Sequence, residues 1–188
     1  MPSKQIHKTS MEELNRISPT EFKQADKIPV TILLDNIRSL QNVGSFFRTS
    51  DAFRVQSIYL CGITGTPPNK EIEKTALGAT ESVNYNYFEN TIDAVSQLKQ
   101  SGTKIVAIEQ AKESVYLDEF FPQPESSYAF IFGNEVFGVA QDVIELADII
   151  LEIPQFGTKH SFNVSVSAGI VLWDYYLKNS LNLRSKPL

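Results

Sequence analysis

Residues 153–168 read IPQFGTKHSFNVSVSA, and the fold turns on how this stretch is interpreted. Before it stands an apolar, β-branched run, Ile149, Ile150, Leu151 and Ile153, with the composition of a buried strand. Pro154 ends the run and a polar loop with Gly157 follows. Val164, Ala168, Val171, Leu172 and Tyr175 then recur at helical spacing as one buried stripe, so a helix begins within 161–165. Strand, glycine-bearing loop and helix start, in that order, are where α/β proteins hold ligands. Ser161, Asn163 and Ser165 lie at the helix start, beside N–H groups that the helix leaves unpaired. These side chains can bind a ligand or simply cap the helix, and the stretch alone leaves both open.

The same alternation runs through the rest of the chain. Strands are predicted near 30–34, 57–61, 104–109, 128–132 and 149–153. Helices are predicted to start near Asn42, Lys70, Thr91 and Gln141, with a last one from about Asn163 to Lys178. Such alternation gives an α/β fold, a mostly parallel sheet flanked by helices. Residues 81–88, ESVNYNYF, are a further extended candidate with a weaker pattern, because its alternation includes two asparagines. Ser10 with Glu13, and Ser18 with Glu21 and Pro19, have capping-box spacing and predict two short helices at the start. The expected organisation is an N-terminal helical extension over 1–28, one domain over 29–180 and a loose polar tail over 181–188.

Composition narrows the function. At 188 residues with 42% hydrophobic side chains, the chain suits one domain with a real core. No apolar run reaches the roughly 20 residues needed to cross a bilayer, and the polar first residues do not read as a signal peptide, so a cytoplasmic protein is expected. One cysteine, Cys61, rules out an internal disulfide framework and reads as a small core residue. With only His7 and His160, no metal site is expected. A net charge of −5 argues against a strongly basic nucleic-acid coat, so any RNA contact must be local or assembled between chains.

Two further stretches carry chemistry. Residues 35–53, DNIRSLQNVGSFFRTSDAF, follow a strand and open a helix. Gly44 is read there as allowing a close backbone turn, and Asn42 and Arg48 as reaching a ligand at the strand end, Arg48 with a fork of donors suited to phosphate. A helix cap at Asn42 and a surface salt bridge at Arg48 are the plainer alternatives. Residues 130–138, FIFGNEVFG, run a buried strand into Gly133, Asn134 and Glu135, with Gly138 beyond. The chain has neither GxGxxG nor GxxxxGK[ST], which disfavours a nicotinamide-dependent oxidoreductase and a nucleoside triphosphate cradle.

The order of the three stretches is more specific than any one of them. Asn42, Gly44 and Arg48, then Gly133, Asn134, Glu135 and Gly138, then Ile153 and Pro154 followed by 161–165 resemble the SpoU-type (TrmH-like) RNA ribose 2′-O-methyltransferases of the SPOUT superfamily. The resemblance runs from about Val30 to Tyr176 and includes KTALGATESV at 74–83. It implies a C-terminal deep trefoil knot, S-adenosyl-L-methionine as cofactor, transfer RNA or ribosomal RNA as partner and a homodimer. Carried over by position, cofactor contacts fall on Gly133, Ile153 and Phe162, with Ile108 and Glu109 added at a strand end. The polar catalytic set falls on Asn42, Arg48, Glu135, Ser161 and Asn163, and Arg48 and Lys159 are the candidate phosphate partners. Arg54, Gln155 and Phe162 depart from the family pattern, Arg54 standing where a glycine is usual. A catalytically inactive knotted RNA-binding or assembly module is the alternative function.

Overall fold

The sequence IPVTILLD forms β1 (Ile28–Asp35), buried on both faces from Val30 onward, as a strand covered by helices on either side must be. In the computed structural model, which describes residues 7–10, 13–14 and 16–184, β1 pairs in parallel with β2 (Val55–Cys61) and β6 (Tyr128–Phe132). Outside β2 lies β3 (Tyr85–Phe88). Beyond β6 come β4 (Lys104–Ile108), β7 (Ile149–Glu152) and the two-residue β5 (Val115–Tyr116). The order β3-β2-β1-β6-β4-β7-β5 is parallel throughout.

Alternation along the central strands sorts the core into two layers. Ile32, Leu34, Phe130 and Phe132 point to one face, where they meet Phe46 and Phe47 of α2 (Leu40–Ala52) and Val171, Leu172 and Tyr175 of α7 (Val164–Arg184). Leu33, Ala129 and Ile131 point to the other, against Ala94, Val95 and Leu98 of α5 (Thr91–Gln100) and Val143 of α6 (Gln141–Ile144). Full burial of each large side chain contributes roughly 1.5–3 kcal/mol. Cys61 is fully buried in the second layer, and burial, with Asp35 nearby, pushes its thiol pKa up to about 12.

Several local expectations need correction. Gly44 lies inside α2 rather than in a turn, and a side chain there would strike Thr75 Oγ1 and the Ile72 carbonyl of α3 (Lys70–Ala76); the glycine serves helix packing. Ser39 caps α2, accepting the Asn42 N–H at 3.2 Å, so the helix starts two residues before Asn42. In the 81–88 stretch, Glu81 and Ser82 belong to a short helix, α4 (Ala79–Ser82), and only Tyr85–Phe88 is a strand, an exposed edge that explains its asparagines. At the start, α1 (Pro19–Gln24) forms with the Ser18–Glu21 capping box and buries Phe22. The Ser10–Glu13 box closes a turn at 13–14, while residues 11, 12 and 15 lie outside the described residues. At the other end α7 continues through Arg184, taking in the first residues expected to be a loose tail, and 185–188 lie outside the described residues. Arg54 adopts the left-handed conformation, φ 52°, that a glycine would take without strain.

Candidate active site

Because β6, β4 and β7 are neighbours and parallel, the loops leaving their C-terminal ends converge at one edge of the sheet. They enclose a cavity of about 990 Å³, at the upper end of the roughly 300–1,000 Å³ of small-molecule sites. Ile108, Glu109, Gly133, Ile153 and Phe162, the five cofactor candidates, all line it, as do Glu135, Ser161 and Asn163.

The three motifs meet in one hydrogen-bonded chain. Glu135 Oε1 accepts the Ser39 N–H and the Asn42 side-chain amide, each at 3.0 Å, and Oε2 accepts the Arg38 N–H at 3.0 Å. Asn42 Oδ1 in turn accepts the Asn163 amide at 3.1 Å, and Asn163 Oδ1 accepts the Ser165 N–H at 2.9 Å and its hydroxyl at 2.7 Å. Asn163 therefore caps α7, and Glu135 holds the chain entering α2 from a distant loop, so the motif residues tie three segments together as well as facing the cavity.

Burial alone would raise the Glu135 pKa, but the Arg38 N–H, the Asn42 amide and the Ser39 N–H together outweigh it and hold the carboxyl below its usual range. Glu135 is thus a carboxylate at neutral pH, suited to holding the loops rather than releasing a proton. A folded-state pKa below the unfolded value makes its stabilising contribution complete above the ~4.3 of a free glutamate and lost as pH falls through the folded pKa. Glu135→Gln is expected to lower the melting midpoint at pH 7, with the gap from wild type closing in acid below that value. Equal midpoints across the whole pH range would remove Glu135 as the tie.

Glycine at 133 has a steric reason within the fold itself. A side chain there would meet the backbone of Gly138 and Val139 before reaching any ligand, so Gly133 permits the turn to fold back on the strand end. Glu109 closes the same turn from β4, Oε2 accepting the Val139 N–H at 3.0 Å and Oε1 the Gln110 N–H at 2.9 Å. Sequence reasoning named Asn134 within its motif without a role and missed Gln110 and Asp35. Asn134 donates to the Asn36 carbonyl at 2.8 Å, and Gln110 donates to the His160 carbonyl at 3.0 Å, joining the β4 and β7 loops. Asp35, 1% exposed, accepts from Thr91 Oγ1 at 2.6 Å, Asn36 Nδ2 at 2.8 Å and the Ala140 N–H at 2.9 Å. A carboxylate ending an apolar strand was the available signal for Asp35.

Arg48 and Lys159 stand apart. Both are exposed, neither lines the cavity of its own chain, and neither side chain has a hydrogen bond or ion pair among the described residues. A second cavity of about 420 Å³ lies on the other side of Ala140, lined by Asp35, Glu89, Asp93 and Asp142. None of the predicted site residues reaches it, and its one buried carboxylate is fully engaged. Among the described residues no group of three or more His, Cys, Asp or Glu side chains is placed to hold a metal ion, and no helix is long and apolar enough to cross a membrane.

Known proteins match this arrangement. A family model described as the SpoU rRNA Methylase family fits residues 29–173. The 23S rRNA (guanosine-2′-O-)-methyltransferase RlmB of Neisseria meningitidis serogroup B is 35% identical over 144 residues, 77% of this chain and 56% of that protein. The chain thus spans little more than half the length of that relative. The TrmH/SpoU tRNA modifying enzyme of A. aeolicus superposes with a TM-score of 0.76 at 27% identity, covering 87% of this chain and 81% of that one. The AdoMet-bound rRNA methyltransferase of Sinorhizobium meliloti superposes at 0.75 and 26%, covering 86% and 61%. With its three motifs joined at one cavity and the family model spanning most of its length, the chain belongs to the SpoU rRNA Methylase family.

Proposed function

We propose that the chain is an S-adenosylmethionine-dependent methyltransferase acting on a ribose 2′-hydroxyl of transfer or ribosomal RNA. The observation that carries this reading is the unbroken polar chain from Glu135 through Asn42 to Asn163 at the mouth of a ligand-sized cavity. It is supported by the Neisseria relative, named for 2′-O-methylation of guanosine in 23S rRNA, by the A. aeolicus tRNA modifying enzyme, and by the Sinorhizobium enzyme that holds AdoMet.

The cavity suits a nucleoside that also carries charged groups. Ile108, Ile153 and Phe162 offer apolar surface for a purine, while Gln110, Ser161 and the turn backbone beside Gly133 offer polar partners. When bound, S-adenosylmethionine supplies an electrophilic sulfonium methyl group. Ser161 and Asn163 orient the ribose or the cofactor's carboxylate. A guanidinium is a poor base and a good phosphate partner, so Arg48 binds the RNA phosphate beside the reacting ribose and stabilises developing alkoxide charge. Lys159 is a second phosphate partner on the same loop as His160.

The working unit in this reading is a homodimer. α7 buries one stripe and yet leaves Val166 51%, Trp173 53% and Leu177 41% exposed along another, an arrangement suited to a second packed surface. Arg48, outside its own chain's cavity, is then a candidate to enter the neighbour's. The segment after β7, which reaches the β4 loop through the His160 carbonyl, is proposed to be threaded as a trefoil knot, within a methyltransferase domain at 29–180 preceded by an extension over 1–28. A cytoplasmic location accompanies such an RNA substrate.

Ribose methylation mapped in total RNA from cells with and without the gene is the test, with loss of one or more 2′-O-methylated positions expected. Tight S-adenosylmethionine binding with an unchanged map would instead indicate the inactive module.

A further inference from the structure

The turn over 134–138 holds two apolar side chains out at the cavity mouth, Val136 at 66% and Phe137 at 84% exposure. Its backbone is firmly fixed. Asn134 Oδ1 accepts the N–H groups of Val136 and Phe137 at 2.9 and 3.2 Å, the Gly138 N–H closes on the Asn134 carbonyl at 2.8 Å, and Asn134 Nδ2 is anchored on Asn36. An aromatic ring is therefore presented to solvent on a rigid support. Arg38 lies across Glu135 from it. Its N–H is held by the Glu135 carboxylate at 3.0 Å, while its guanidinium is exposed and has no hydrogen bond or ion pair among the described residues.

We propose that Phe137 and Arg38 form a nucleotide subsite for the RNA substrate, the ring stacking on an unpaired base next to the reacting ribose and the guanidinium binding a neighbouring phosphate. The proposal rests on the methyltransferase reading above and deepens it. Single-stranded RNA is recognised in this way, by bases splayed out onto aromatic rings with cations tracking the backbone. A second copy of the chain fits less well. The cavity at whose mouth the turn stands is lined by Glu135, Gln110, Gln141 and Gln155 as well as by Val136 and Phe162, a mixed surface, whereas a protein contact calls for a continuous apolar patch. In a chain of net charge −5, a local aromatic and cation pair also supplies grip that the overall charge does not.

The test uses the full chain with total tRNA and ribosomal RNA from cells lacking the gene, measuring methyl transfer, RNA affinity by filter binding and S-adenosylmethionine affinity by titration calorimetry. Phe137→Ala should raise KM for RNA by roughly fivefold to a hundredfold, the range for one lost stacking partner, with the effect falling on KM more than on kcat. Cofactor affinity should hold. Phe137→Trp should recover the RNA KM and Phe137→Leu should not, a split that mere apolar packing would not produce. Arg38→Gln should weaken RNA affinity and reduce its salt dependence by about one released ion. An unchanged RNA KM in Phe137→Ala overturns the subsite, and a loss of cofactor affinity moves the ring into the cofactor pocket instead. A KM defect that raised enzyme concentration repairs, with a shift in oligomeric state, identifies a second chain as the occupant. Failure of the wild-type protein to methylate any of these RNAs would overturn the methyltransferase reading itself, a result distinct from all of these.

Discussion

Arg48→Ala is expected to lower methyl transfer by at least ~10²-fold, the scale of losing one preorganised electrostatic donor. S-adenosylmethionine affinity should be left nearly unchanged. The structure sharpens the reason. Arg48 is exposed on α2, lacks a hydrogen bond or ion pair among the described residues, and does not line the cavity of its own chain. Removing its guanidinium therefore breaks nothing in the fold, and the melting temperature should not move. Steady-state kinetics and calorimetry on the same preparation separate the two effects. Arg48→Lys keeps the charge but loses the planar fork that matches a phosphate, so it should restore little. A lysine variant with near wild-type turnover would mean that charge alone is required, and an alanine variant with full turnover would exclude Arg48 from the chemistry.

What was legible beforehand follows from the range of the forces involved. Periodicity is local, and it located β1, β6, β7 and the buried stripe of α7 within a few residues. Motif order supplied the cavity, since the loops after β4, β6 and β7 converge wherever those strands are parallel neighbours. β5 has only two residues, too few for any pattern to show. α4, four residues set off from α3 by a break at Leu77 and Gly78, both left-handed, is too short for a helical period to show beside the alternation of 81–88. The tie from Glu135 to the chain entering α2 spans 96 residues between Ser39 and its acceptor, so it is invisible to any local rule. Gly44 was marked for a turn that the structure does not have there, and the packing reason for Gly133 lay equally out of local view. In both cases the close neighbour belongs to another segment, Thr75 and the Ile72 carbonyl at Gly44 and the Gly138–Val139 backbone at Gly133, a contact that depends on how the segments pack.

Two inactive variants are expected to rescue each other if the site is shared between chains. Arg48 lies outside its own cavity, whereas Asn163 sits in the wall of that cavity and is tied to Asn42 and to the start of α7. An Arg48→Ala chain keeps an intact Asn163, and an Asn163→Ala chain keeps its arginine. Paired, they make one complete site, with the arginine of one facing the cavity of the other. Under random subunit exchange roughly half of the dimers are mixed and each has one working site in two, so about a quarter of wild-type activity should return. Asn163→Ala also removes the cap on α7, typically worth about 1 kcal/mol, so its melting curve must show a folded protein before it is mixed. Exchange itself is checked by mass spectrometry of differently tagged chains. Mixed dimers that form and stay inactive would show that each chain completes its own site, which would require α2 to bring Arg48 round to the cavity within one molecule. A fully active monomer would sink the shared site altogether, and the exposed stripe of Val166, Trp173 and Leu177 would then need another partner.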